Sequence, residues 1–178
     1  MQEVIVRSVS IIALAATLAA CAVPQQQRPS VAISAPFDAA HAARLLQTGV
    51  NTIKGNAFLR QRGGGVVTCA GSTVYLVPGT EYAKQRMAAL YAGDGVSGLN
   101  RGQNNPIFIP ESTAYQQATK TTKCDAQGNF MFDRVAEGVF YITTTVNWQV
   151  GGRNQGGNLM HRVQLEGVET SNLIMTGD

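Results

Sequence analysis

The residue types that most often perform catalysis are scarce in this chain of 178 residues. It contains two histidines, His41 and His161, and only eleven aspartates and glutamates. Neither histidine lies in an H-E-x-x-H motif, and no G-x-S-x-G motif occurs. His41 lies among helix-favouring alanines and His161 lies in an alternating strand pattern, so both are predicted to be structural. Because acid–base and metal chemistry need converging groups of this kind, the sequence does not predict an enzyme.

Two glycine-rich stretches lack the sequence patterns of phosphate-binding and calcium-binding loops. Gly63–Gly65 is followed by Val-Val-Thr, whereas a phosphate-binding loop needs a lysine and then Ser or Thr at a helix start. In the long loop Gly93–Pro110, Asp94, Asn100 and Asn104 offer oxygen atoms, but their spacing matches no EF-hand and only one is charged. We therefore predict no metal ion and no cofactor.

The charge of the chain is low and dispersed. Charged residues make up 14% of the sequence and the formal net charge is +3. The densest basic cluster is Arg60-Gln61-Arg62, which is either a solvated turn or a contact for an anionic surface. No basic stripe of the kind that binds nucleic acid is present, so nucleic acid is not an expected partner.

The N-terminus carries a targeting signal. Val9 to Ala20 is an apolar run of about twelve residues, preceded by Arg7 and too short to span a bilayer. We predict a signal peptide over residues 1–20. The tetrad L-A-A-C ending at Cys21 resembles the lipobox of bacterial lipoproteins, which implies a lipid on the Cys21 thiol. That resemblance implies a lipid-anchored protein of the bacterial cell envelope, expected at the outer membrane and facing the periplasm. The alternative is an ordinary signal peptide with a chance cysteine.

Two further cysteines, Cys69 and Cys124, remain in the predicted mature chain. An even pair in an oxidising compartment favours a disulfide, which would close a loop of 55 residues. In the chain-entropy model such a loop closure contributes about 4 kcal/mol. Two buried free thiols and a redox-active cysteine are the alternatives, although no C-x-x-C motif occurs.

The chain before the main domain is predicted to contain a tether and a helix. Residues 21–36 are rich in proline and glutamine, which predicts a flexible tether. Residues 37–49 predict an N-terminal helix, with Asp38 as N-cap and Gly49 as C-cap. A second helix is predicted over 81–92 with Thr80 as its N-cap, inserted between strands.

The rest of the chain is dominated by strand patterns. From Val139 to Val150 the residues alternate, with Phe140, Ile142, Thr144, Val146, Trp148 and Val150 on one mostly apolar face. Shorter patterns of this kind, including 113–122, are separated by glycine-rich turns. The expected fold is mainly β, a Greek-key β-sandwich of about seven strands with one N-terminal helix and one inserted helix.

One segment resembles a known family. Asp125 to Phe132 has the pattern D-x-x-G-x-F-x-F, and Gly138 and Tyr141 follow at the start of the long strand. This resembles the carboxypeptidase regulatory-like domain, one of the transthyretin-like β-sandwiches, over residues 50–178. The resemblance implies the fold and no zinc site, and it implies almost nothing about function.

We therefore expect a non-catalytic binding or assembly module with an envelope protein as partner. The contact candidates are Leu99, Arg101, Ile107, Phe108 and Ile109 in the loop Gly93–Pro110, and Arg153 in the hairpin tip Gly151–Asn158. The alternative is carbohydrate binding at the cell envelope, with Trp148 and Tyr141 as stacking residues.

Overall fold

The computed structural model describes residues 28–91, 95–102 and 105–177. Its strands are β1 Ser30–Ala32, β2 Thr48–Arg60, β3 Val66–Thr68, β4 Thr73–Pro78, β5 Ser97–Asn100, β6 Ile107–Ile109, β7 Lys120–Lys123, β8 Asn129–Val135, β9 Gly138–Val150, β10 Arg153–Leu165 and β11 Thr170–Met175. Its helices are α1 Ala39–Leu45, α2 Glu81–Leu90 and α3 Thr113–Gln117. The predicted signal peptide and Cys21 lie outside the described residues.

Two sheets pack face to face. The first is an antiparallel sheet of five strands in the order β5-β10-β9-β4-β7. The second has β2 at its centre, with β11 parallel to it and with β3 and β8 antiparallel to it. Their facing side chains form one apolar core, which includes Ile53, Leu76, Phe140, Leu159 and Leu173. The predicted mainly β sandwich is confirmed.

The alternation of β9 is confirmed along the part that lies between the sheets. Phe140, Ile142, Thr144 and Val146 are buried in the core between them. Tyr141 points to the other face of the same sheet and is buried as well. β9 therefore has apolar side chains on both faces at its start, because a third layer covers the outer side of the five-stranded sheet.

This third layer consists of helices and a short two-stranded ribbon. Tyr82, Ala83 and Met87 of α2 and Tyr115 of α3 pack with Tyr141 in a second apolar core. The ribbon is formed by β1 and β6, which pair in parallel register from Ser30 with Ile107 to Ala32 with Ile109.

Arg86 of α2 holds the third layer together. Its guanidinium carbon lies 3.9 Å from the ring centroid of Phe108 on β6 and 4.9 Å from that of Tyr115 on α3. Its Nη1 atom also donates to Glu111 at 2.8 Å. A planar cation between two aromatic rings stabilises their packing, so Arg86 connects α2 with β6 and α3.

Side chains at the helix starts confirm two predicted caps. The Asp38 carboxylate accepts a hydrogen bond from the His41 backbone N–H at 2.8 Å, and the Thr80 hydroxyl accepts from the Ala83 N–H at 3.2 Å. The predicted C-cap at Gly49 is wrong, because α1 ends at Leu45 and Gly49 already belongs to β2. A side chain at Gly49 would collide with the Val135 carbonyl oxygen, so close strand pairing rather than a helix end requires this glycine.

The predicted tether is shorter than expected at its C-terminal end. Residues 30–32 form β1, and Ile33 is buried in the second core. Apolar Val31 and Ile33 alternate with exposed Ala32 and Ser34, a strand pattern that the nearby prolines concealed in the sequence.

Three other local predictions are corrected. The loop Gly93–Pro110 contains two short strands, β5 and β6. The predicted strand over 113–122 is instead α3 followed by β7, since the Ser112 hydroxyl caps the helix by accepting from the Tyr115 N–H. The predicted hairpin tip shrinks to Gly151-Gly152, because β10 begins at Arg153. These short elements raise the strand number among the described residues to eleven, rather than about seven.

The predicted disulfide is confirmed. Cys69 and Cys124 are bonded, and both residues are buried in the sandwich core. The bond connects the segment after β3 with the end of β7.

Next to the disulfide, the Asp125 carboxylate accepts hydrogen bonds from the Gln127 and Asn129 backbone N–H groups and from the Asn129 side-chain amide. These bonds lower the pKa of Asp125.

Candidate functional site

The long hairpin of β9 and β10 extends beyond the sandwich core and forms one wall of a cleft. Along the inner face of β9, Val146 is fully buried, Trp148 is half-buried and Val150 is exposed. The opposite wall is formed by the end of β2 and the turn that follows it. The cleft has a volume of about 880 Å³ and is lined by Arg60, Gln61, Arg62, Gly63, Arg101, Trp148, Val150, Arg153 and Gln155.

Trp148 forms the apolar floor of this cleft. Its side chain packs on the edge of the sandwich core and also lines the cleft, so one part of the indole is buried and another part is accessible. Its direct cross-strand partner is Gln155 on β10. An aromatic surface next to an amide combines an apolar contact with a hydrogen-bonding group.

Four arginines line the cleft together with the indole, and they come from three segments of the chain. Arg60 is the last residue of β2, and its guanidinium carbon lies 5.9 Å from the ring centroid of Phe58. Arg62 lies in the turn closed by hydrogen bonds between Gln61 and the glycines that follow it. Arg101 follows β5, and Arg153 is the first residue of β10. All four are exposed, and none of the lining residues that the structure describes is acidic.

Glycines in β10 allow β5 to bring Arg101 to the cleft. A Cβ atom at Gly157 would lie 2.5 Å from the Asn100 carbonyl oxygen and 3.1 Å from the Arg101 Cα atom. Gly156 has a φ of +101°, which a side chain disfavours. The segment is then fixed by the Asn100 side chain, which donates to the Asn105 side chain and accepts from the Gly102 N–H, each at 2.8 Å.

A smaller polar pocket of about 240 Å³ adjoins the cleft and shares Arg101 and Gln155 with it. Its other lining residues are Gly102, Asn147, Asn154, Gly156, Gly157 and Asn158. The Asn158 side-chain oxygen accepts from the Thr145 hydroxyl at 2.7 Å, which orients its amide group. The hairpin therefore presents arginine and indole groups in the cleft and a row of amide groups beside it.

The structure separates the predicted contact residues into two groups. Arg101 and Arg153 meet in the cleft. Leu99 is half-buried against the sandwich core near them. Ile107 and Ile109 lie on the β1–β6 ribbon with 46% and 56% of their surface exposed. The sixth candidate, Phe108, is buried beneath Arg86 and does not reach the surface.

Four polar cleft residues, Arg60, Gln61, Arg62 and Gln155, are not among the contact candidates named from the sequence. The sequence predicts that Arg60-Gln61-Arg62 is a solvated turn or an anionic-surface contact, and it places Gln155 in a flexible tip. The alternation of β9 contained a usable signal, since Trp148 and Val150 continue its apolar face toward a glycine turn. Which other segments face them depends on the pairing of distant strands.

Outside the cleft, the described residues form a further groove but no metal-binding cluster and no membrane-spanning helix. A second and more open groove of about 580 Å³ lies on the outer side of the β2 sheet, between Lys54, Asp125 and Asn172. Within residues 28–91, 95–102 and 105–177, no group of three His, Cys, Asp or Glu side chains could hold a metal ion. Within these described residues, no helix has the length and apolar character needed to cross a membrane.

Comparison with solved structures identifies a similar fold. The crystal structure of a "putative carbohydrate binding protein" from Pseudomonas aeruginosa superposes with a TM-score of 0.62 at 23% sequence identity. The similarity covers 79% of this chain and 97% of that chain. At this level of identity the likeness establishes the fold. No family model matches the chain, and no curated protein matches it at a significant level.

Proposed function

We propose that this protein is a non-catalytic carbohydrate-binding module of the bacterial cell envelope and that the Trp148 cleft is its binding site. The observation that carries the proposal is an accessible indole at the floor of a cleft of about 880 Å³. This volume lies in the range of about 300–1,000 Å³ that is usual for small-ligand sites.

The chemistry of the cleft suits a saccharide. A pyranose ring presents C–H groups on its faces and hydroxyl groups at its edge. The Trp148 indole offers an apolar surface for the face, while Gln155 and Gln61 offer amide donors and acceptors for the edge. The similarity in fold to a protein described as carbohydrate-binding agrees with this proposal.

The composition of the cleft supports a binding role rather than a catalytic one. Its lining residues are arginine, glutamine, glycine, valine and tryptophan. Arginine remains protonated at physiological pH, and the other four types do not titrate there. The cleft could orient a ligand and neutralise its charge, but its described lining residues include no nucleophile or general base.

The proposal includes a lipid anchor on Cys21. The tetrad that ends at Cys21 carries this part, and Ser30 is the first residue of β1. Nine residue steps from Cys21 to Ser30 span at most roughly 30 Å when fully extended. A lipid on Cys21 would therefore keep the domain close to a membrane surface, where it would meet envelope glycans. Metabolic labelling with a palmitate analogue tests this part: wild-type protein should be labelled and Cys21→Ala should not.

Binding can be measured directly because Trp148 is the sole tryptophan of the chain. Titration of the purified protein with a panel of neutral and acidic oligosaccharides should change the indole fluorescence for at least one of them. Calorimetry with that sugar should show that Trp148→Ala weakens binding roughly tenfold, which corresponds to the loss of a stacking contact of about 1.4 kcal/mol.

The matched control is Tyr75→Ala, which removes an exposed aromatic side chain from β4, outside the cleft. It should bind the sugar like wild type, and thermal unfolding should show that both variants are folded. The proposal is wrong if no sugar in the panel binds, or if folded Trp148→Ala binds as well as wild type.

A protein partner is the second candidate. It is favoured by the exposed side chains of Ile107 and Ile109, which lie on the same side of the short strand β6. Because β6 is part of the third layer, point substitutions are better tests than deletion of the loop. Ile107→Ser with Ile109→Ser should abolish capture of an envelope protein in cross-linked cells if this surface is a contact, and unchanged capture would exclude it.

A further inference from the structure

We propose that the natural ligand of the cleft is an acidic saccharide, a sugar polymer or glycan that carries carboxylate groups. This inference rests on the proposed function and specifies the class of its ligand. The structural basis is that Arg60, Arg62, Arg101 and Arg153 line one cleft with Trp148, and that no acidic side chain is among the described lining residues.

The concentration of positive charge is specific to this cleft. The chain has ten arginines, and four of them line one cavity, whereas the net charge of the whole protein is only +3. The ion pairs within the described residues join Lys84 to Glu81, Arg86 to Glu111 and Arg134 to Asp133. The four cleft arginines are in none of these pairs, so no carboxylate of the described residues forms an ion pair with them.

Such an arrangement favours an anionic ligand for electrostatic reasons. Like charges around one concave surface repel each other and raise the local positive potential. A bound anion is attracted to the guanidinium groups, and this attraction offsets their mutual repulsion. Because dissolved ions screen exposed charges over about 8 Å at physiological ionic strength, the attraction acts on anions within the cleft and weakens as salt is added.

The identity of the cationic groups favours carboxylates. Guanidinium groups donate two parallel hydrogen bonds to the two oxygens of a carboxylate, in a planar geometry that an ammonium group cannot provide. The cationic side chains among the described lining residues are all arginines. With the indole as a platform for the ring, the cleft provides complementary groups for both the face and the acidic substituent of a uronic-acid-type sugar.

Nucleic acid is a less suitable ligand for this site. Single-strand binding surfaces combine a groove that follows several phosphates with several aromatic side chains for successive bases. Here one indole lines the cleft with four arginines, and its cross-strand partner Gln155 is one of several amide side chains on β10. A short single-stranded DNA is nevertheless included in the test.

The first experiment compares sugars that differ only in charge. The probe is an oligogalacturonate, measured against its methyl ester of the same length, together with sialylated and sulfated oligosaccharides and their uncharged counterparts. At least one carboxylated sugar should bind roughly tenfold more tightly than its uncharged form, and its affinity should fall as sodium chloride is raised.

The second experiment removes charge from the protein. Arg101→Gln with Arg153→Gln should weaken binding of the carboxylated sugar roughly tenfold and leave the uncharged sugar unaffected. The control is Arg44→Gln with Lys84→Gln, which removes the same charge from exposed positions on α1 and α2, outside the cleft. This control should bind like wild type if the cleft, rather than net charge, attracts the ligand.

The outcomes separate this inference from the proposed function. If no sugar of either kind binds, both are wrong. If uncharged sugars bind as tightly as their acidic forms, the Trp148 cleft remains a carbohydrate site and the acidic ligand is wrong. The acidic saccharide is also wrong if single-stranded DNA or a sulfated sugar binds more tightly than every carboxylated sugar at the same salt concentration, or if the control pair weakens binding as much as the cleft pair.

Discussion

Gly157 on β10 lies so close to Asn100 on β5 that a Cβ atom at Gly157 would come within 2.5 Å of the Asn100 carbonyl oxygen. The two strands can pair at their ordinary distance only because this position has no side chain. Asn100 directly precedes Arg101. The close approach of Gly157 to Asn100 therefore also sets the position of Arg101 in the cleft.

Gly157→Ala should therefore affect both stability and ligand binding. The added methyl group has to displace β5 or bend β10, which should lower the free energy of unfolding by about 1–3 kcal/mol. Denaturant unfolding measures the loss, and faster hydrogen exchange at 97–100 should locate it. Gly63→Ala, where nothing lies within 4 Å of the added Cβ, should change stability by less than about 0.5 kcal/mol. Equal losses in the two variants would contradict the packing argument.

Removal of the disulfide should destabilise the sandwich without changing its fold. Cys69 and Cys124 close a loop of 55 residues, so replacing both with alanine should lower the free energy of unfolding by about 4 kcal/mol in the chain-entropy model. Chemical denaturation of this variant, compared with wild type with and without a reducing agent, measures the effect. The variant should resemble reduced wild type, and a stability equal to oxidised wild type would contradict the prediction.

Loss of Arg86 should loosen the third layer before the sandwich. Arg86→Gln removes the cation between Phe108 and Tyr115 and the ion pair with Glu111, at a cost of about 2 kcal/mol. Because β1 pairs with the strand that carries Phe108, limited proteolysis at 30–33 should become faster.

The control for Arg86 lies on the same helix. Lys84→Gln breaks an exposed ion pair with Glu81 and should cost no more than about 0.5 kcal/mol. Proteolysis of 30–33 that is as slow in Arg86→Gln as in this control would show that Arg86 does not hold the ribbon in place.

Strongly alkaline pH should destabilise the protein through two buried tyrosines. Burial raises the pKa of both Tyr91 and Tyr115 from 10.0 to about 12, because a phenolate is poorly solvated in the second core. Between pH 10 and 12 the unfolded chain has released these protons and the folded chain has not. The stabilisation is therefore complete below pH 10 and is lost as the pH rises through 12, by about 1.4 kcal/mol per pH unit for each tyrosine.

Denaturant unfolding at a series of alkaline pH values, together with tyrosinate absorbance, measures this loss. Tyr91→Phe should remove one of the two contributions and flatten the decline. A decline that is equally steep in Tyr91→Phe would exclude Tyr91 as a cause.

The sequence by itself determined the elements with strong local causes. The alternation of Phe140, Ile142 and Val146 identified β9 and the sandwich core, since period two is a property of the extended chain. Asp38 and Thr80 identified two helix starts, because a cap is a contact between residues three apart in the chain. Short elements such as β1 and β6 were missed, because three residues carry too little pattern and are stabilised by the layer into which they pack.

The tertiary structure alone decided the candidate site. Arg101, Arg153 and Arg60 each have a role predicted from their own segment, but nothing local predicts that they line one cleft. They meet because β2 and β5 end, and β10 begins, at the same side of the sandwich. Strand alternation predicts which face a side chain occupies, but the neighbour of a strand is chosen by packing between residues far apart in the chain. The apolar surface at Trp148 could thus be inferred from local pattern, whereas the cluster of arginines that shares its cleft required the fold.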